Sequence, residues 1–162
     1  MIRRLKKLLN VKKAADEDNF VADLHIRNVG DIDHALELGA DGVQIASRFV
    51  TTAECDAAEE YKQAYINAKK EDIQIIQSPV GMPGRALRNE FIKGLENARK
   101  PITKCYNCLE KCDPRSVPYC ITKALIDAVR GDIKNGLIFC GENVDRIHEM
   151  TTVHDLMQEL CY

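Results

Sequence analysis

The stretch DIDHALELGADGVQIA, residues 31–46, decides the fold class of this chain. Its first half places apolar residues at helical spacing, and Gly39 is positioned to end that helix because glycine tolerates a left-handed backbone. Its second half, GVQIA at residues 42–46, is short, apolar and rich in β-branched side chains, as buried parallel strands are. An apolar run at residues 20–26 precedes the helix, so the pattern predicts strand, helix and strand.

The alternation continues after this unit. Thr51 and Glu54 have the spacing of a capping box and predict a long helix over residues 57–68. A third apolar run follows at residues 73–76. Because strands alternate with helices in this part of the chain, we expect right-handed βαβ units on a parallel sheet.

The C-terminal half is predicted to be mainly helical. A helix is expected over residues 85–98, and another between Pro118 and Gly131. Residues 136–140 are predicted to form a short strand or a buried loop. Thr152 and Asp155 form a second capping box, which predicts a last helix. The predicted class is therefore α/β with a helical C-terminal layer.

Length and composition are those of one globular domain. The chain has 162 residues, of which 45% are hydrophobic and 30% charged, so a disordered chain is excluded. No apolar run approaches the ~18 to 20 residues of a membrane span, and no secretory signal follows the N-terminus. We therefore expect a cytoplasmic protein, in which the seven cysteines are thiols, metal ligands or redox groups rather than structural disulfides.

Residues 1–19 differ in charge from the rest of the chain. Six of the 23 basic residues lie in residues 1–13, which contain no acid, and 17 bases face 25 acids in the remainder. This distribution predicts a basic amphipathic helix and a linker, either packed on the domain or used at a membrane surface or partner. It predicts no nucleic-acid-binding face elsewhere. Residues 20–99 and 100–162 are expected to belong to one domain.

Four cysteines stand at the spacing Cys-x2-Cys-x3-Cys-x7-Cys, namely Cys105, Cys108, Cys112 and Cys120. Four thiolates suit tetrahedral zinc or an iron–sulfur cluster, although this spacing matches neither a zinc ribbon nor a bacterial ferredoxin. The alternative is a set of packed or partly exposed thiols. The sequence leaves both interpretations open.

Residues 38–89, LGADGVQIASRFVTTAECDAAEEYKQAYINAKKEDIQIIQSPVGMPGRALRN, resemble the FMN-dependent nitronate monooxygenase family. That family was formerly called 2-nitropropane dioxygenase, and the flavin enoyl-ACP reductases share its domain. The likeness continues through KPITKCYNCLEKCDPRSVPYCITKALIDAV at residues 100–129 and GDIKNGLIFCGEN at residues 131–143. It covers residues 31 to about 160 and corresponds to the C-terminal portion of the family.

The resemblance implies a partial TIM barrel, made of the last two βα units and a C-terminal extension, with FMN at the C-terminal face of the strands. The family motif Gln-Met-Gly-Thr after the eighth strand corresponds here to the predicted FMN phosphate-binding residues Gln44, Ile45, Ala46 and Ser47. Backbone N–H groups at such a turn stabilise a phosphate dianion.

Three features bear on activity. The family's Gly-Gly pair after the seventh strand is replaced by Leu24 and His25, which predicts weakened FMN binding. The family's active-site histidine, on a Gly-Gly-His loop, has no counterpart here, so no catalytic residue is predicted. Arg85, in the loop SPVGMPGRALRN, is expected either to bind an anion or to hold that loop through carboxylates or carbonyls.

Two functions remain open at this stage. The first is oxidation of alkyl nitronates with O2 by an FMN-dependent enzyme, with this chain inactive alone. The second is a non-catalytic remnant or a metal-stabilised binding module; a flavin enoyl-ACP reductase-like activity is a further alternative. An exposed sheet edge predicts self-association or pairing with a chain that supplies the missing strands.

Overall fold

The computed structural model describes residues 21–22, 26, 28–110 and 112–161. Along the chain its strands and α-helices are β1 (Val21–Ala22), α1 (Val29–Glu37), β2 (Gly42–Val43), α2 (Ser47–Val50), α3 (Glu59–Ile66), β3 (Ile73–Gln77), β4 (Pro83–Leu87), α4 (Glu90–Asn97), α5 (Ile121–Val129) and α6 (Val153–Cys161). Short 3-10 helices lie at Lys70–Asp72 and Val144–Arg146. The predictions for residues 1–19 lie outside the described residues.

The described residues form two compact units. The first takes in described residues of Met1–Glu54 and Met150–Tyr162, and contains β1, α1, β2, α2 and α6. The second, Cys55–Glu149, contains the remaining elements. The described strands pair as β1 with β2 and as β3 with β4, so the protein is a mixed α/β structure.

The strand–helix–strand unit predicted at the start of the chain is confirmed. β1 and β2 pair in parallel, with Val21 opposite Gly42, and α1 connects them. The Asn28 side chain caps α1 by accepting a hydrogen bond from the backbone N–H of Asp31 at 3.1 Å. Gly39 follows the helix with a φ of 89°, the left-handed conformation that glycine adopts most readily. β2 ends at Val43, so the strand is shorter than predicted.

The core of the first unit lies between α1 and α6. Ala35 of α1 is fully buried, and Leu156 and Leu160 of α6 are buried with it. The predicted Thr152 cap of this last helix is present, since the backbone N–H of Asp155 donates to Thr152 Oγ1 at 3.1 Å. The Asp155 carboxylate accepts from the Thr152 hydroxyl at 2.8 Å, so the cap is formed by the two side chains and one backbone N–H. The helix therefore starts where the sequence predicts.

The capping box predicted at Thr51 and Glu54 is wrong. Thr51 is buried, and its hydroxyl donates to the carbonyl of Arg48 at 3.2 Å, which closes α2. Glu54 accepts the backbone N–H of Val153 at 3.0 Å and so caps α6, a helix far along the chain. The next helix, α3, begins only at Glu59.

The strand at residues 73–76 is present, but its predicted place in a parallel sheet is wrong. β3 pairs antiparallel with β4, with Ile73 opposite Leu87 and Gln77 opposite Pro83. The intervening loop contains Gly81 with a φ of 84°. A short loop with turn residues favours a hairpin over a crossover, because parallel pairing requires a long connection.

The helix predicted over residues 85–98 begins later than expected. Residues 85–87 belong to β4, and α4 starts at Glu90 after the cap residue Asn89. The Asn89 side chain accepts the backbone N–H of Ile92 at 3.1 Å. An asparagine N-cap satisfies one of the N–H groups that have no partner within the helix, so it defines the start.

The core of the second unit packs α4 and α5 against β4 and the loop at residues 136–140. Its buried members are Ala86, Phe91, Ile92, Tyr119, Ile121, Ala124 and Leu137. Residues 136–138 of this loop are buried, and residues 139 and 140 are half-buried. An antiparallel bridge joins Phe139 to Ala86, and the segment is otherwise a loop, which is one of the two predicted alternatives. Leu137 is fully buried, and its backbone N–H donates to the carbonyl of Ala124 at 2.9 Å.

The helix predicted between Pro118 and Gly131 is confirmed with a later start. α5 begins at Ile121, and Cys120 is its cap residue rather than a residue of the first turn. Gly131 follows the helix with a φ of 96°, as expected for a glycine that ends a helix. The segment before Cys120 is therefore loop.

Candidate functional site

The turn at residues 44–47 joins β2 to α2. Gln44 and Ala46 are exposed, whereas Ile45 is half-buried and packs against the core of the first unit. Ala46 is the cap residue of α2 and makes no side-chain cap hydrogen bond, and Ser47 is the first helical residue. The four residues of the predicted phosphate site are therefore consecutive at the carboxyl end of a parallel strand, accessible to solvent and next to a helix start.

An ion pair that the sequence analysis missed holds α2 in place. The Arg48 guanidinium makes two hydrogen bonds to the Glu159 carboxylate of α6, at 2.7 and 2.8 Å. This hydrogen bonding lowers the pKa of Glu159. The two residues are 111 positions apart, so no local pattern signals the pair. Because the Arg48 guanidinium is bound to the Glu159 carboxylate, we do not propose that Arg48 binds the phosphate.

We expect Glu159→Gln to lower the free energy of unfolding at pH 7 by a fraction of a kcal/mol, since exposed ion pairs contribute about 0 to 1 kcal/mol. The folded-state pKa of Glu159 lies below its unfolded value, so the pair stabilises the protein above about pH 4.3. That stabilisation is lost as the pH falls through the lower, folded value. Denaturant unfolding across this range measures the effect.

The matched control is Glu149→Gln, which removes an exposed glutamate that makes no ion pair in the described parts of the chain. We expect it to have no comparable dependence on pH. A stability difference for Glu159→Gln that persists unchanged into strong acid would contradict the role of the ion pair.

The remaining expectations for this site concern Leu24, His25 and the other histidines of the chain. Leu24 and His25 lie outside the described residues. His34, His148 and His154 are all exposed. We assign none of these three histidines as a catalytic base.

Arg85 lies on β4, not at the start of a helix as expected. Its guanidinium donates to the Glu142 carboxylate at 3.2 Å, and its side chain is one quarter exposed. This contact agrees with the interpretation in which Arg85 holds the loop through a carboxylate. The hairpin and the segment around Glu142 are thereby linked within the second unit.

The four cysteines of the predicted cluster line one pocket of about 230 Å³. Cys105 and Cys108 are exposed, and Cys112 and Cys120 are half-buried. Apolar side chains make up most of the remaining wall, with Ile102, Tyr106, Leu109, Pro114 and Ile121 among them. The structure therefore brings together the four residues that the spacing selected.

The pKa of the Cys112 thiol is raised by its surroundings. Desolvation raises its pKa, and the neighbouring thiols raise it further. Among these neighbours, Cys108 raises the pKa of Cys112 most, followed by Cys105 and Cys120. Each neighbouring sulfur disfavours a second negative charge, so the neutral thiol of Cys112 is stabilised.

The predicted zinc or iron–sulfur site is not supported by this arrangement. Within residues 21–22, 26, 28–110 and 112–161, no three Cys, His, Asp or Glu side chains are positioned to hold a metal ion. A tetrahedral metal requires four ligands at about 2.0 to 2.3 Å, which demands closer convergence than a shared pocket. The arrangement agrees with the alternative of partly exposed thiols.

None of the helices described here has the length and apolar character needed to cross a membrane.

The fold and the turn define a class of protein. A parallel β–α–β unit with an accessible loop at the carboxyl end of its strands is typical of α/β proteins that bind ligands at that edge. The chain belongs to the nitronate monooxygenase family, because residues 22–162 match the sequence profile described as Nitronate monooxygenase.

Individual relatives agree with this assignment. A probable nitronate monooxygenase of Bacillus subtilis is 27% identical over an alignment of 143 positions that covers 82% of this chain and 37% of that protein. A probable nitronate monooxygenase of Staphylococcus saprophyticus is 38% identical over 58 residues, 36% of this chain and 16% of that protein.

The fold is similar to that of FabK from Thermotoga maritima. The two structures superpose with a TM-score of 0.64 at 24% identity, covering 83% of this chain and 40% of FabK. The chain therefore spans about two fifths or less of the length of the relatives it matches.

Proposed function

We propose that this chain is the C-terminal portion of an FMN-dependent oxidoreductase of the nitronate monooxygenase type, with an alkyl nitronate as substrate. Family membership supports the flavin and the class of reaction. The observation that carries the site is the accessible turn at residues 44–47, which follows a parallel strand and begins a helix. In this proposal the turn binds the terminal phosphate of FMN.

The chemistry of the turn fits a phosphate. Ala46 leaves the first turn of α2 without a side-chain cap, and its small side chain permits close approach of a ligand to the backbone. Ser47 adds a hydroxyl, and Gln44 adds an amide on an exposed side chain. These groups donate hydrogen bonds, which a dianion requires.

The turn is also held in place, although α2 has only four residues and would not be stable alone. The Arg48 ion pair with Glu159 attaches it to α6. The hydroxyl of the buried Thr52 donates a hydrogen bond to the carbonyl of Phe49 at 2.9 Å. The backbone of Thr52 also forms an isolated parallel β-bridge with Thr151. A preorganised turn loses less conformational entropy when it binds a ligand.

Bound FMN supplies the electron transfer in such an enzyme. The described residues of this chain position the phosphate end, and they include no assigned catalytic base. We therefore propose that the chain with FMN does not consume oxygen with an alkyl nitronate unless the rest of the barrel is present. Oxygen uptake by the purified chain with FMN and an alkyl nitronate would contradict this part of the proposal.

We expect Ser47→Glu to weaken FMN binding at least about tenfold, because it places a carboxylate beside the phosphate. Binding of riboflavin, which lacks the phosphate, should not change. Fluorescence titration of the purified chain with each flavin measures both affinities. A glutamate in the first turn of a helix is favourable, so the substitution should not unfold α2.

The matched control is Ser116→Glu, which adds the same charge at an exposed serine of the other unit. It should leave the affinity for FMN unchanged. Equal affinities of wild-type protein for FMN and riboflavin, or an undiminished affinity of Ser47→Glu for FMN, would refute the assignment of the turn. Failure of the wild-type chain to bind FMN would refute it as well.

A further inference from the structure

The thiol pocket, defined by Cys105, Cys108, Cys112 and Cys120, is not used by the proposed flavin site. The loop that carries its first members reverses direction at Asn107, whose φ of 51° is left-handed. Both the backbone N–H and the side-chain oxygen of Asn107 lie 3.4 Å from Cys105 Sγ. The local backbone thus bends the chain between the first two cysteines.

A second bend brings Cys112 back toward Cys108. The backbone N–H of Cys112 donates to the carbonyl of Leu109 at 3.2 Å, which closes a turn between these two cysteines. Of the neighbouring thiols, that of Cys108 contributes most to the raised pKa of Cys112. Cys108 and Cys112 are therefore the pair of neighbouring sulfurs that the turn favours.

We propose that the thiol pocket is an oxidation site at which a hydroperoxide converts Cys108 and Cys112 into a disulfide. Cys105 and Cys108 are both exposed, and Cys108 is the one that the turn between Leu109 and Cys112 places near Cys112. We therefore assign Cys108 as the sulfur that meets the oxidant and the half-buried Cys112 as the resolving thiol. Cys108 and Cys112 both lie outside the helices and strands of the described residues, so their sulfurs approach each other without breaking a helix or a strand.

The reaction proceeds in two balanced steps. The Cys108 thiol loses its proton, its thiolate attacks one oxygen of hydrogen peroxide, and the O–O bond breaks. The products are a sulfenic acid and hydroxide, and the hydroxide takes up the proton that Cys108 lost to give the first water. The Cys112 sulfur then attacks the sulfenic sulfur, an S–S bond forms, and the S–O bond breaks. The oxygen leaves as water with the proton of the Cys112 thiol. In sum, two thiols and hydrogen peroxide give a disulfide and two waters.

Cys140 and Cys161 lack these features. Burial raises the pKa of the Cys140 thiol to about 12, so it stays protonated and reacts slowly. Cys161 is exposed but lies outside the thiol pocket. Oxidation to a disulfide is therefore expected within the pocket and not at every accessible thiol.

The test uses the reduced full chain, treated with hydrogen peroxide, alkylated and digested with trypsin. Cleavage separates CYNCLEK, residues 105–111, from CDPR, residues 112–115, and from SVPYCITK, residues 116–123. We expect the first two peptides to be joined through one disulfide, with the mass of their sum less two hydrogens plus one alkyl group on Cys105. A thiol assay should show the loss of two thiols per chain, and reduction should restore both.

Variants identify the pair. Cys108→Ser and Cys112→Ser should lose the cross-link, while Cys105→Ser and the control Cys161→Ser should retain it. Full thiol retention in wild-type protein would overturn the proposal. It would also be overturned by a cross-link that survives Cys108→Ser, by a cross-link to residues 116–123, or by a stoichiometric zinc ion that protects the four thiols.

Discussion

Gly136→Ala is expected to destabilise the protein by about 3 kcal/mol. A Cβ at this position would lie 2.3 Å from the backbone nitrogen of Ala128 and 2.4 Å from its Cα. Ala128 is a buried residue of α5, and a backbone atom cannot move aside as a flexible side chain can. The buried loop and α5 must therefore separate. Denaturant unfolding of the two proteins measures the difference.

The matched control is Gly94→Ala in α4 of the same unit. There an added Cβ would lie 2.9 Å from Lys100 Nζ, the end of a flexible side chain that can move away. Alanine is favoured over glycine in a helix by about 1 kcal/mol, so this substitution should be neutral or stabilising. Equal stabilities for Gly136→Ala and the wild-type protein would show that the buried loop does not pack on α5 as described.

Asn89→Ala is expected to lower the free energy of unfolding by about 2 to 4 kcal/mol. The side-chain oxygen of Asn89 caps α4, and its amide donates to the carbonyls of Ile133 and Gly136 at 2.6 and 2.8 Å. Alanine removes the cap and leaves both carbonyls without this donor. Denaturant unfolding or the midpoint of thermal unfolding measures the loss.

Asn28→Ala is the comparison that isolates the cap. Asn28 also caps a helix, but its side chain is exposed and makes only the cap hydrogen bond among those described. We expect a loss of about 1 kcal/mol there. If the two alanine variants lost the same stability, the contacts of Asn89 to the buried loop would contribute nothing.

The losses of stability expected for Gly136→Ala and Asn89→Ala both concern one junction in the second unit. Asn89 links the start of α4 to the buried loop, and Gly136 lets that loop approach α5. Neither residue was selected in the sequence analysis, because asparagine and glycine are common in surface turns. The signal for Asn89 was its position immediately before the apolar stripe of a helix, which is typical of a cap.

The β3–β4 hairpin shows why part of the fold was mispredicted. Two five-residue strands flank the five-residue loop at residues 78–82, and a loop of that length with proline and glycine favours a hairpin. The helical spacing of apolar residues after Pro83 instead predicts a helix that begins at residue 85. A short apolar run has no periodicity long enough to separate a strand from the start of a helix.

The candidate site divides in the same way. The turn at residues 44–47 was predicted through its resemblance to the family motif, whereas the short helix α2 that begins at Ser47 was not predicted. The ion pair that attaches α2 to α6 could not be predicted, since Arg48 and Glu159 are remote in sequence. The four cysteines were predicted as a set from their spacing, but the metal was not supported because spacing does not determine the distance between sulfurs.

The sequence alone determined the β1–α1–β2 order, the glycines that follow α1 and α5, and the start of α6. These features depend on backbone preferences and periodicity within about ten residues, and both can be read from the local sequence. Tertiary structure decided the partner of β3, the role of Glu54 at α6 and the exposure of each thiol. Those outcomes depend on which distant segments meet, because burial and pairing are properties of the folded chain and not of any one segment.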